Sequence, residues 1–491
     1  MENEYIKLIF GLKLKQIRTG KSLSLFGLSK LTGLSKSYLN EIEKGKKYPK
    51  TDKIVLLADK LEVPYDSLVS LKLDKNLAPV GALLQSKVLK ELPLHLFGIK
   101  EGDLIDIVAN APAKVNTFIS TIIEIAKHYD FGKENFYLAA LRSYQEANNN
   151  FFPDLETAVE QFAKAYHINL KKSVNAEELE EILVQEYGYT INNSDLTKYK
   201  ELDNLRSVFV PKTKTLLIAG HIDDAQRTFI YAKELGYNFL NIAERLYTFT
   251  WIKFDNFDQV LNNFYASYFA GALIIPRKAF KQDLNKFLAK PQFDKTFLGG
   301  INKNYNASPE SLYQRLTNIL PTDYQLENLF FLRFGHKKRS NRFDLNKELH
   351  LTHQHSPRGN ENDEMYCRRW VSIRVLQDIA KTDSEHQMDV QISHYPDSGL
   401  SYLIFSSATK DPFKEDEFRS VSLGIQVNAQ LQKKVKFLNH PDIKRFDVGV
   451  TCNRCAIKDC EVRQAPPTLL QLAEKNTATE SVVEALQKQF G

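Results

Sequence analysis

Cysteine, methionine and tryptophan are scarce in this chain of 491 residues, and long apolar runs are missing from it. There are 4 cysteines, 3 methionines and 2 tryptophans. So few cysteines in such a length exclude a disulfide-stapled scaffold and favour a reducing compartment. No apolar run approaches the roughly 20 residues of a transmembrane helix, and the start M-E-N-E-Y-I-K lacks the features of a secretion signal. We therefore expect a cytoplasmic protein with no membrane partner.

Length and composition indicate several ordinary globular domains. Hydrophobic residues make up 43% of the chain and charged residues 26%, and 491 residues exceed what a single core organises. Residues 1–75 contain 15 Lys and Arg against 9 Asp and Glu, whereas the remaining residues balance, so the net charge of +6 lies at the N-terminus. This end can attract a polyanion such as nucleic acid, although a basic face is often only solvated surface.

The N-terminal residues have the pattern of a small helical bundle. Short amphipathic segments end near Gly20, Gly33 and Gly45, and Ser24 and Ser35 are placed to cap the second and third segments. Two short helices joined by a tight turn that contains glycine form a helix-turn-helix. The pattern therefore predicts an all-α DNA-binding unit.

The N-terminal segment resembles the Xre (Cro/lambda-repressor-like) DNA-binding domain, which we assign to residues 1–72. The resemblance covers L-K-L-K-Q-I-R, then L-S-K-S-Y-L-N-E-I-E-K-G-K-K-Y-P, and then L-A-D-K-L-E-V-P-Y-D-S-L. On helical spacing, Leu39 and Ile42 of the third helix should pack inward, and the opposite face should meet base edges. The alternative is a structural bundle with a lysine-rich rim. The predicted DNA-binding residues, of which the last three are placed for phosphates, are Ser24, Lys36, Ser37, Asn40, Lys44, Lys46 and Lys47.

Residues 73–150 have helical periodicity throughout, as in V-N-T-F-I-S-T-I-I-E-I-A-K-H-Y and F-Y-L-A-A-L-R-S-Y-Q-E-A. Core or dimer packing accounts for their apolar positions. We predict a helical linker and candidate dimerisation region that ends at the polar run A-N-N-N-F-F-P-D, residues 146–154.

Residues 151–300 predict an α+β middle domain, in which the strand T-L-L-I-A-G precedes the helix D-A-Q-R-T-F-I-Y-A-K-E-L-G-Y-N-F-L and a later helix reads N-F-Y-A-S-Y-F-A-G-A-L-I-I-P. This succession resembles the ImmA/IrrE metallopeptidase domain, whose two helices carry R-F-x-x-A-H-E-x-x-H and E-x-x-A-N-x-F-A-x-x-L-L-x-P. The matching residues are Arg227, Phe229, Ala232, Glu234, Phe269, Ala270, Leu273 and Pro276.

The resemblance fails at the metal ligands. Lys233 and Tyr237 stand where the two histidines would be, and Asn263 stands where the glutamate ligand would be. An ammonium has no lone pair, a phenol is a poor ligand at neutral pH, and an amide brings no charge. Glu234 would have no metal-bound water to activate, and we expect it to serve a salt bridge or a cap. We predict a degenerate zincin-like domain with no metal and no catalytic residue, and not an enzyme; an unrelated amphipathic helix is the alternative.

Residues 320–470 predict a C-terminal α+β sensor-like domain, for which a GAF-like fold is one candidate, followed by a C-terminal helix at 471–491. The signals are the strand N-L-F-F-L-R-F and the hairpin M-D-V-Q-I-S-H-Y, P-D-S-G, L-S-Y-L-I-F-S. His350, His353 and His355 lie in a polar stretch, where we expect solvated side chains and not a second metal site.

All four cysteines lie in this C-terminal domain. Cys452, Cys455 and Cys460 form C-x2-C-x4-C, and Cys367 is distant in sequence. Three thiols on one loop and a fourth from elsewhere suit either tetrahedral zinc or a 4Fe-4S cluster. The alternative is a surface loop with reduced cysteines. Basic residues around the loop should favour thiolate over thiol, namely Arg454, Lys458 and Arg463.

A wider resemblance covers nearly the whole chain. An Xre domain, a degenerate ImmA/IrrE domain and C-x2-C-x4-C followed by R-x-A-P-P resemble the short-chain fatty acyl-CoA regulators, bacterial transcription factors of propionate and acetate metabolism. The resemblance implies an acyl-CoA effector and an iron–sulfur cluster on Cys367, Cys452, Cys455 and Cys460, although the sequence around Cys367 lacks the family's proline context. The R-x-A-P-P residues are Arg463, Ala465, Pro466 and Pro467.

The predicted function is therefore a sequence-specific transcription regulator that binds a double-stranded DNA operator. We expect a homodimer, because one recognition helix covers only half of an operator. Two alternatives assign the protein to other functional classes, an enzyme and an adaptor. One is an ImmA-like anti-repressor metallopeptidase that acts on a partner transcription factor, and the other is a nucleic-acid adaptor without a regulatory role.

Overall fold

The computed structural model describes residues 2–70, 133–248, 254–351, 364–382, 384–414 and 416–490. The chain divides into two compact units, one comprising Met1–Tyr144 with Asp255–Asp258 and the other Gln145–Phe254 with Gln259–Gly491. Most of the predicted linker at 73–150 lies outside the described residues. Its last part is the helix α6 (Lys133–Ala147).

The N-terminal unit contains the predicted helical bundle. The side chain of Ser24 accepts a hydrogen bond from Gly27 N at 2.9 Å, and that of Ser35 accepts one from Tyr38 N at 3.2 Å. Gly33 follows the second helix at a φ of 69°, the left-handed conformation that glycine adopts readily. The first helix is longer than predicted and includes Gly20. The helices are α1 (Glu2–Gly20), α2 (Leu25–Thr32), α3 (Lys36–Glu43), α4 (Thr51–Lys60) and α5 (Tyr65–Val69).

A buried ion pair joins α1 to α3 inside this bundle. Arg18 Nε and Nη2 donate to the two carboxylate oxygens of Glu43 at 2.6 and 2.9 Å, and both residues are buried. Leu39 and Ile42 are fully buried beside them, as predicted. A Cβ added to Gly11 would lie 2.3 Å from Ile42 O, so the glycine permits the two helices to approach this closely.

The second unit begins with the protease-like elements. Strands β1 and β3 are parallel, and β2 pairs antiparallel with β3. The elements are α7 (Pro153–Ala165), α8 (Ala176–Gln185), β1 (Thr190–Asn192), β2 (Ser207–Val210), β3 (Thr215–Ile218), α9 (Asp224–Phe239), α10 (Phe257–Ile274), α11 (Arg277–Leu288), α12 (Lys295–Asn304) and α13 (Pro309–Tyr324).

Helix α13 is bound to this region through Arg315, which is only 1% exposed. Its guanidinium makes two hydrogen bonds to the carboxylate of Glu156, at 2.6 and 2.9 Å, and Nε donates to Ile275 O at 2.9 Å. The polar run at 146–154 also packs here, because Asn150 Nδ2 donates to Thr317 Oγ1 at 2.8 Å. The run is therefore fixed to α13, and its assignment as a domain boundary stays a prediction.

A mixed six-stranded sheet with the order β5-β4-β8-β7-β6-β9 completes the second unit. The predicted hairpin is the β6–β7 pair, joined through Pro396 to Gly399, and only β9 runs parallel to its neighbour. The elements are β4 (Leu329–Lys337), β5 (Asp344–His350), α14 (Val371–Thr382), β6 (His386–Tyr395), β7 (Leu400–Lys410), β8 (Glu417–Gln426), α15 (Ala429–Lys434), β9 (Lys444–Asp447) and α16 (Thr468–Phe490).

The two faces of the sheet pack against different helices. Helix α14 covers one face in a core that includes Phe330, Phe334 and Trp370. The other face meets the protease-like elements, since Tyr313 OH lies 2.9 Å from Ser407 Oγ and the rings of Phe287 and Phe405 are 6.1 Å apart. The predicted domains at 151–300 and 320–470 therefore share one packed unit. The GAF-like assignment stays a prediction.

The polar stretch after β4 was expected to be a loop, but it contains β5. His350 is 4% exposed, and its Nε2 lies 3.1 Å from Glu348 Oε2, so the expectation of a solvated histidine was wrong. It is buried because β5 pairs with β4, which places His350 opposite Phe330. His353 and His355 lie outside the described residues. None of the described helices combines the length and apolar character needed to cross a membrane.

Candidate functional sites

The exposed face of α3 carries the predicted base-contacting residues. Lys36, Ser37 and Asn40 are exposed, in contrast to Leu39 and Ile42 on the buried face. A helix that presents polar donors on one face and packs with the other has the form required for the major groove.

The other predicted DNA-binding residues differ in how freely they can reach DNA. The hydroxyl of Ser24 caps α2, and Lys44 is half-buried. Lys46 is exposed, whereas Lys47 Nζ lies 3.5 Å from Glu41 Oε2 and 5.2 Å from the centre of the Tyr38 ring. Lys46 is thus better placed for a phosphate than Lys47.

The three degenerate metal-ligand positions meet in space. Lys233 Nζ donates to Asn263 Oδ1 at 2.7 Å, and Tyr237 OH donates to the same oxygen at 3.2 Å. Lys233 and Tyr237 lie one turn apart on α9, and Asn263 faces them from α10. Hydrogen bonds therefore join the two helices where a metal ion would join them in a zinc peptidase.

Glu234, which would be the general base of a peptidase, is held in a buried ion pair. Arg245 Nη2 donates to Glu234 Oε1 at 2.5 Å, and Tyr189 OH donates to Glu234 Oε2 at 3.0 Å. The guanidinium of Arg245 lies 3.9 Å from the centre of the Tyr237 ring, a cation–π contact. The expectation that Glu234 serves a salt bridge is confirmed.

The charge state of this cluster follows from its burial. Burial lowers the pKa of Lys233 to about 7; the carboxylate of Glu234 opposes this, while the cations of Arg245, Lys347 and Arg206 add to it. A lysine in such a setting is partly neutral at physiological pH. Among the described residues, no three His, Cys, Asp or Glu side chains are arranged to hold a metal ion.

A second cluster, which we call the cationic cleft, lies between the sheet and the protease-like elements. Arg206, Arg333, Lys347 and Arg419 surround the carboxylate of Glu310, which stands in the first turn of α13. Arg333 Nη1 is 3.4 Å and Lys347 Nζ is 3.7 Å from Glu310 Oε1. Arg333 and Lys347 are also directly opposite each other on β4 and β5, a pairing of like charges that destabilises a sheet.

The electrostatics of the cationic cleft favour an additional anion. Burial would raise the pKa of Glu310, but the four cations together lower it to about 2. The pKa of Arg206 falls to about 10 through burial and the nearby Arg419. Among the described residues, Arg333 Nε is buried without a hydrogen-bond acceptor. A second carboxylate, that of Asp411, lies 3.1 Å from Arg419 Nε.

A cavity of about 410 Å³ adjoins the cationic cleft. Two of its lining residues belong to both places, since Asp411 pairs with Arg419 and the ring of Phe413 lies 5.3 Å from the Arg206 guanidinium. The remaining wall mixes apolar residues such as Leu196 and Leu205 with polar ones such as Asp203 and His221. The volume suits a small organic ligand.

Sequence reasoning missed the cationic cleft, because its members come from four separate segments. One signal was present. Arg333 interrupts the otherwise apolar strand N-L-F-F-L-R-F, and a charge inside a buried strand requires a partner or a ligand.

The four cysteines line one small cavity. Cys367, Cys452 and Cys455 are buried, Cys460 is partly exposed, and the enclosed volume is about 10 Å³, enough for one ion-sized occupant. Gly449 lies against Cys455, because a Cβ there would be only 2.8 Å from Cys455 Sγ. The four cysteines therefore share one cavity, but they are not among any described group of three side chains arranged to hold a metal ion, and the metal site stays a prediction.

The predicted effect of the basic residues on these thiols is not seen in the geometry. Arg454 is paired with Glu364 at 2.7 Å, and Arg463 donates to the carbonyls of Cys452 and Cys455 instead of to sulfur. Burial raises the pKa of Cys367 to about 11, although the backbone amides of Arg369 and Gly449 partly counter it. The Cys367 thiol is therefore protonated unless a cation displaces its proton.

We predict that Lys233 makes folding stability depend on pH. Its pKa of about 7 in the folded protein lies below the ordinary value of 10.5, so between these values the unfolded chain binds more protons. Stability should therefore rise with pH through this window, by up to about 1.4 kcal/mol per pH unit. Denaturant unfolding from neutral to alkaline pH should show a flatter profile for Lys233→Met than for the unaltered chain. The exposed Lys200→Met is the control, and identical profiles for all three would show that Lys233 stays charged.

Comparisons with known proteins agree with two of these regions. Residues 14–68 match a helix-turn-helix family model, and residues 184–317 match the model of the IrrE N-terminal-like domain, which belongs to a peptidase family. No curated protein sequence matches the chain.

One similar solved structure is a transcriptional regulator from Mycobacterium tuberculosis. It is 17% identical, covers 66% of this chain and 92% of its own, and has a TM-score of 0.46. The chain thus combines an Xre-type helix-turn-helix domain with an IrrE-like domain that lacks the zinc ligands of a peptidase.

Proposed function

We propose that the protein is a DNA-binding transcription regulator whose operator affinity responds to a short-chain acyl-CoA. The observation that carries this proposal is the helix-turn-helix at residues 14–68, with Lys36, Ser37 and Asn40 exposed on its third helix. One such helix covers a half-site, so we propose that two copies of the chain bind one operator.

The cationic cleft supports an anionic effector. An acyl-CoA carries several phosphate charges, which arginines recognise through paired hydrogen bonds. Arg333 Nε has no acceptor among the described residues, and the adjoining cavity of about 410 Å³ includes apolar side chains such as Leu196 and Leu205 that can contact the uncharged part of the ligand. Control of transcription requires that the effector bind the DNA-competent and incompetent forms with different affinity.

The cysteine cavity supports a thiolate-held metal centre on Cys367, Cys452, Cys455 and Cys460. The donor set fits, because sulfur ligands suit both zinc and iron–sulfur clusters, and backbone amides point at sulfur, as Gln464 N does at 3.5 Å from Cys452 Sγ. A bound metal would supply a structural cross-link or, for a cluster, electron transfer. The cavity of about 10 Å³ holds one ion, so a cluster requires the loop at 452–460 to move outward.

The peptidase alternative is not favoured. The IrrE-like match describes a fold, whereas hydrolysis needs a metal-bound water. The positions of the ligands hold Lys233, Tyr237 and Asn263, which are bonded to each other, and Glu234 is occupied by Arg245.

The first prediction concerns the operator. Lys36→Ala with Asn40→Ala should remove base contacts worth about 1–3 kcal/mol each, which abolishes specific binding in a gel-shift assay and leaves weak, salt-dependent binding. The control is Lys60→Ala, which removes one exposed lysine from α4 of the same unit. If the double variant binds the operator as tightly as the unaltered protein and as the Lys60→Ala control, then α3 is not the helix that reads the bases.

The second prediction concerns the effector. Propionyl-CoA or acetyl-CoA should bind the unaltered protein in calorimetry, and Arg333→Gln should weaken binding by about tenfold or more, because a desolvated charge contact is lost. Lys337→Gln, an exposed lysine at the end of the same strand, is the matched control. Titrations with free CoA and with inorganic phosphate separate recognition of the acyl chain from recognition of phosphate alone. Absence of binding to the unaltered protein would contradict the effector assignment.

The third prediction concerns the metal centre. Protein purified without oxygen should contain iron or zinc, and Cys452→Ser should lose most of it, whereas Lys458→Gln on the same loop should retain it. Iron with visible absorption identifies a cluster, and zinc without colour identifies a single ion. Unaltered protein that contains neither metal would leave four reduced thiols and refute the centre.

A further inference from the structure

The C-terminal helix α16 exposes nearly all of its surface within the described chain. Every residue from Gln471 to Phe490 is exposed. Among them are large apolar side chains, with exposures of 55% for Leu472, 46% for Val483, 48% for Leu486 and 79% for Phe490. A helix of about 34 Å with this much exposed apolar surface needs a partner to be stable in water.

The apolar residues of α16 follow a heptad repeat. Positions separated alternately by three and four residues form one stripe, which is the seam of a coiled coil. Taking the first as position a, the a and d residues are Leu469, Leu472, Asn476, Thr479, Val483, Leu486 and Phe490.

We propose that α16 pairs with α16 of a second copy of this chain as a parallel, in-register, two-stranded coiled coil. Asn476 is the one strongly polar residue at an a position, and an asparagine there specifies a parallel pair, because the two amides bond each other only in register. The apolar positions on either side of it supply the buried contact.

The flanking charges identify the partner as an identical parallel helix. In such a pair, a g residue faces the e residue five positions later on the other helix. Lys475 stands at g and Glu480 at e, so two identical helices make this opposite-charge contact twice. In an antiparallel pair, g faces g and e faces e. Lys475 would then meet only Thr468, Val482, Gln489 or another Lys475, and the attraction is lost.

The position of α16 places this contact beside the cysteine loop. Thr468 N donates to Pro466 O and Gln471 N to Pro467 O, each at 2.9 Å, so the helix starts directly after the R-x-A-P-P segment. Arg463 of that segment donates to Cys452 O at 3.0 Å. Pairing of the helices therefore brings the cysteine loops of the two copies to the same end of the assembly. This pairing of two α16 helices would be the contact that holds together the dimer of the proposed function. The two copies can pair in this way without DNA.

The first test measures the mass of the full chain by light scattering and sedimentation in the absence of DNA. The unaltered protein should be a dimer, and Val483→Asp with Leu486→Asp should weaken dimerisation by about tenfold or more, because four carboxylates would enter the seam. The matched control, Ser481→Asp with Ala485→Asp, adds the same charge at outer positions and should leave the dimer intact. A monomeric unaltered protein, or equal masses for the three proteins, would overturn the proposal.

The second test distinguishes the parallel arrangement. Lys475→Glu and Glu480→Lys should each weaken the dimer, and the double variant should restore it, since the exchanged charges again attract. If the double variant dimerises no more tightly than the single variants, the parallel, in-register arrangement is wrong. The Lys36→Ala, Asn40→Ala protein should dimerise like the unaltered chain, so failure of the operator assignment and failure of this inference give different results.

Discussion

The carboxylate of Glu310 lies among four cations, and these contacts join α13 to the sheet of the second unit. Glu310 belongs to α13, whereas Arg333, Lys347 and Arg419 belong to the sheet. Burying an excess of positive charge costs stability unless it is compensated, and in the proposed function an anionic effector would supply part of that compensation. The same excess reaches Lys233, whose pKa is lowered partly by Lys347 and Arg206.

At the positions where a zinc peptidase carries its metal ligands, this domain has a hydrogen-bonded contact between two helices. In a zinc peptidase the ion fixes the two helices to each other; here Asn263 accepts hydrogen bonds from both Lys233 and Tyr237 and fixes α9 to α10. Glu234 forms a buried ion pair with Arg245, whose guanidinium lies against the ring of Tyr237. The cationic cleft is close enough that its Lys347 and Arg206 contribute to the lowered pKa of Lys233.

Strand β4 connects the cationic cleft with the cysteine loop. Arg333 lies on one face of the strand, and His336, on the other, stacks on Phe343 with the ring centres 4.3 Å apart. Arg368, next to Cys367, lies 4.3 Å above the same ring. Arg333 of the proposed effector site and Arg368 beside Cys367 therefore both contact the β4–β5 hairpin, and α16 begins after the cysteine loop. The proposed effector site, the thiols and the proposed dimer contact lie on contiguous elements.

Local chemistry explains which features the sequence alone predicted. The caps of Ser24 and Ser35, the inward face of α3, the β6–β7 hairpin and the loss of metal ligands at Lys233, Tyr237 and Asn263 all depend on neighbours within a few residues or on the chemistry of a single side chain. The burial of β5, which made His350 a core residue, depended on pairing with β4 and was missed.

Only the tertiary structure reveals the cationic cleft. It also reveals that Arg454 and Arg463 bind oxygen acceptors and not the thiols. Arg206, Glu310, Arg333 and Arg419 of the cleft, like Arg454 and Glu364, are tens to hundreds of residues apart in sequence, and no local pattern shows which charges will share a space of low dielectric. The sequence by itself therefore determined the helix-turn-helix with its caps, the β6–β7 hairpin and the residue types at the ligand positions of the protease-like helices. Tertiary packing decided which charges share a buried space, because the strength of a charge interaction depends on distance and burial, and both exist only after the chain has folded.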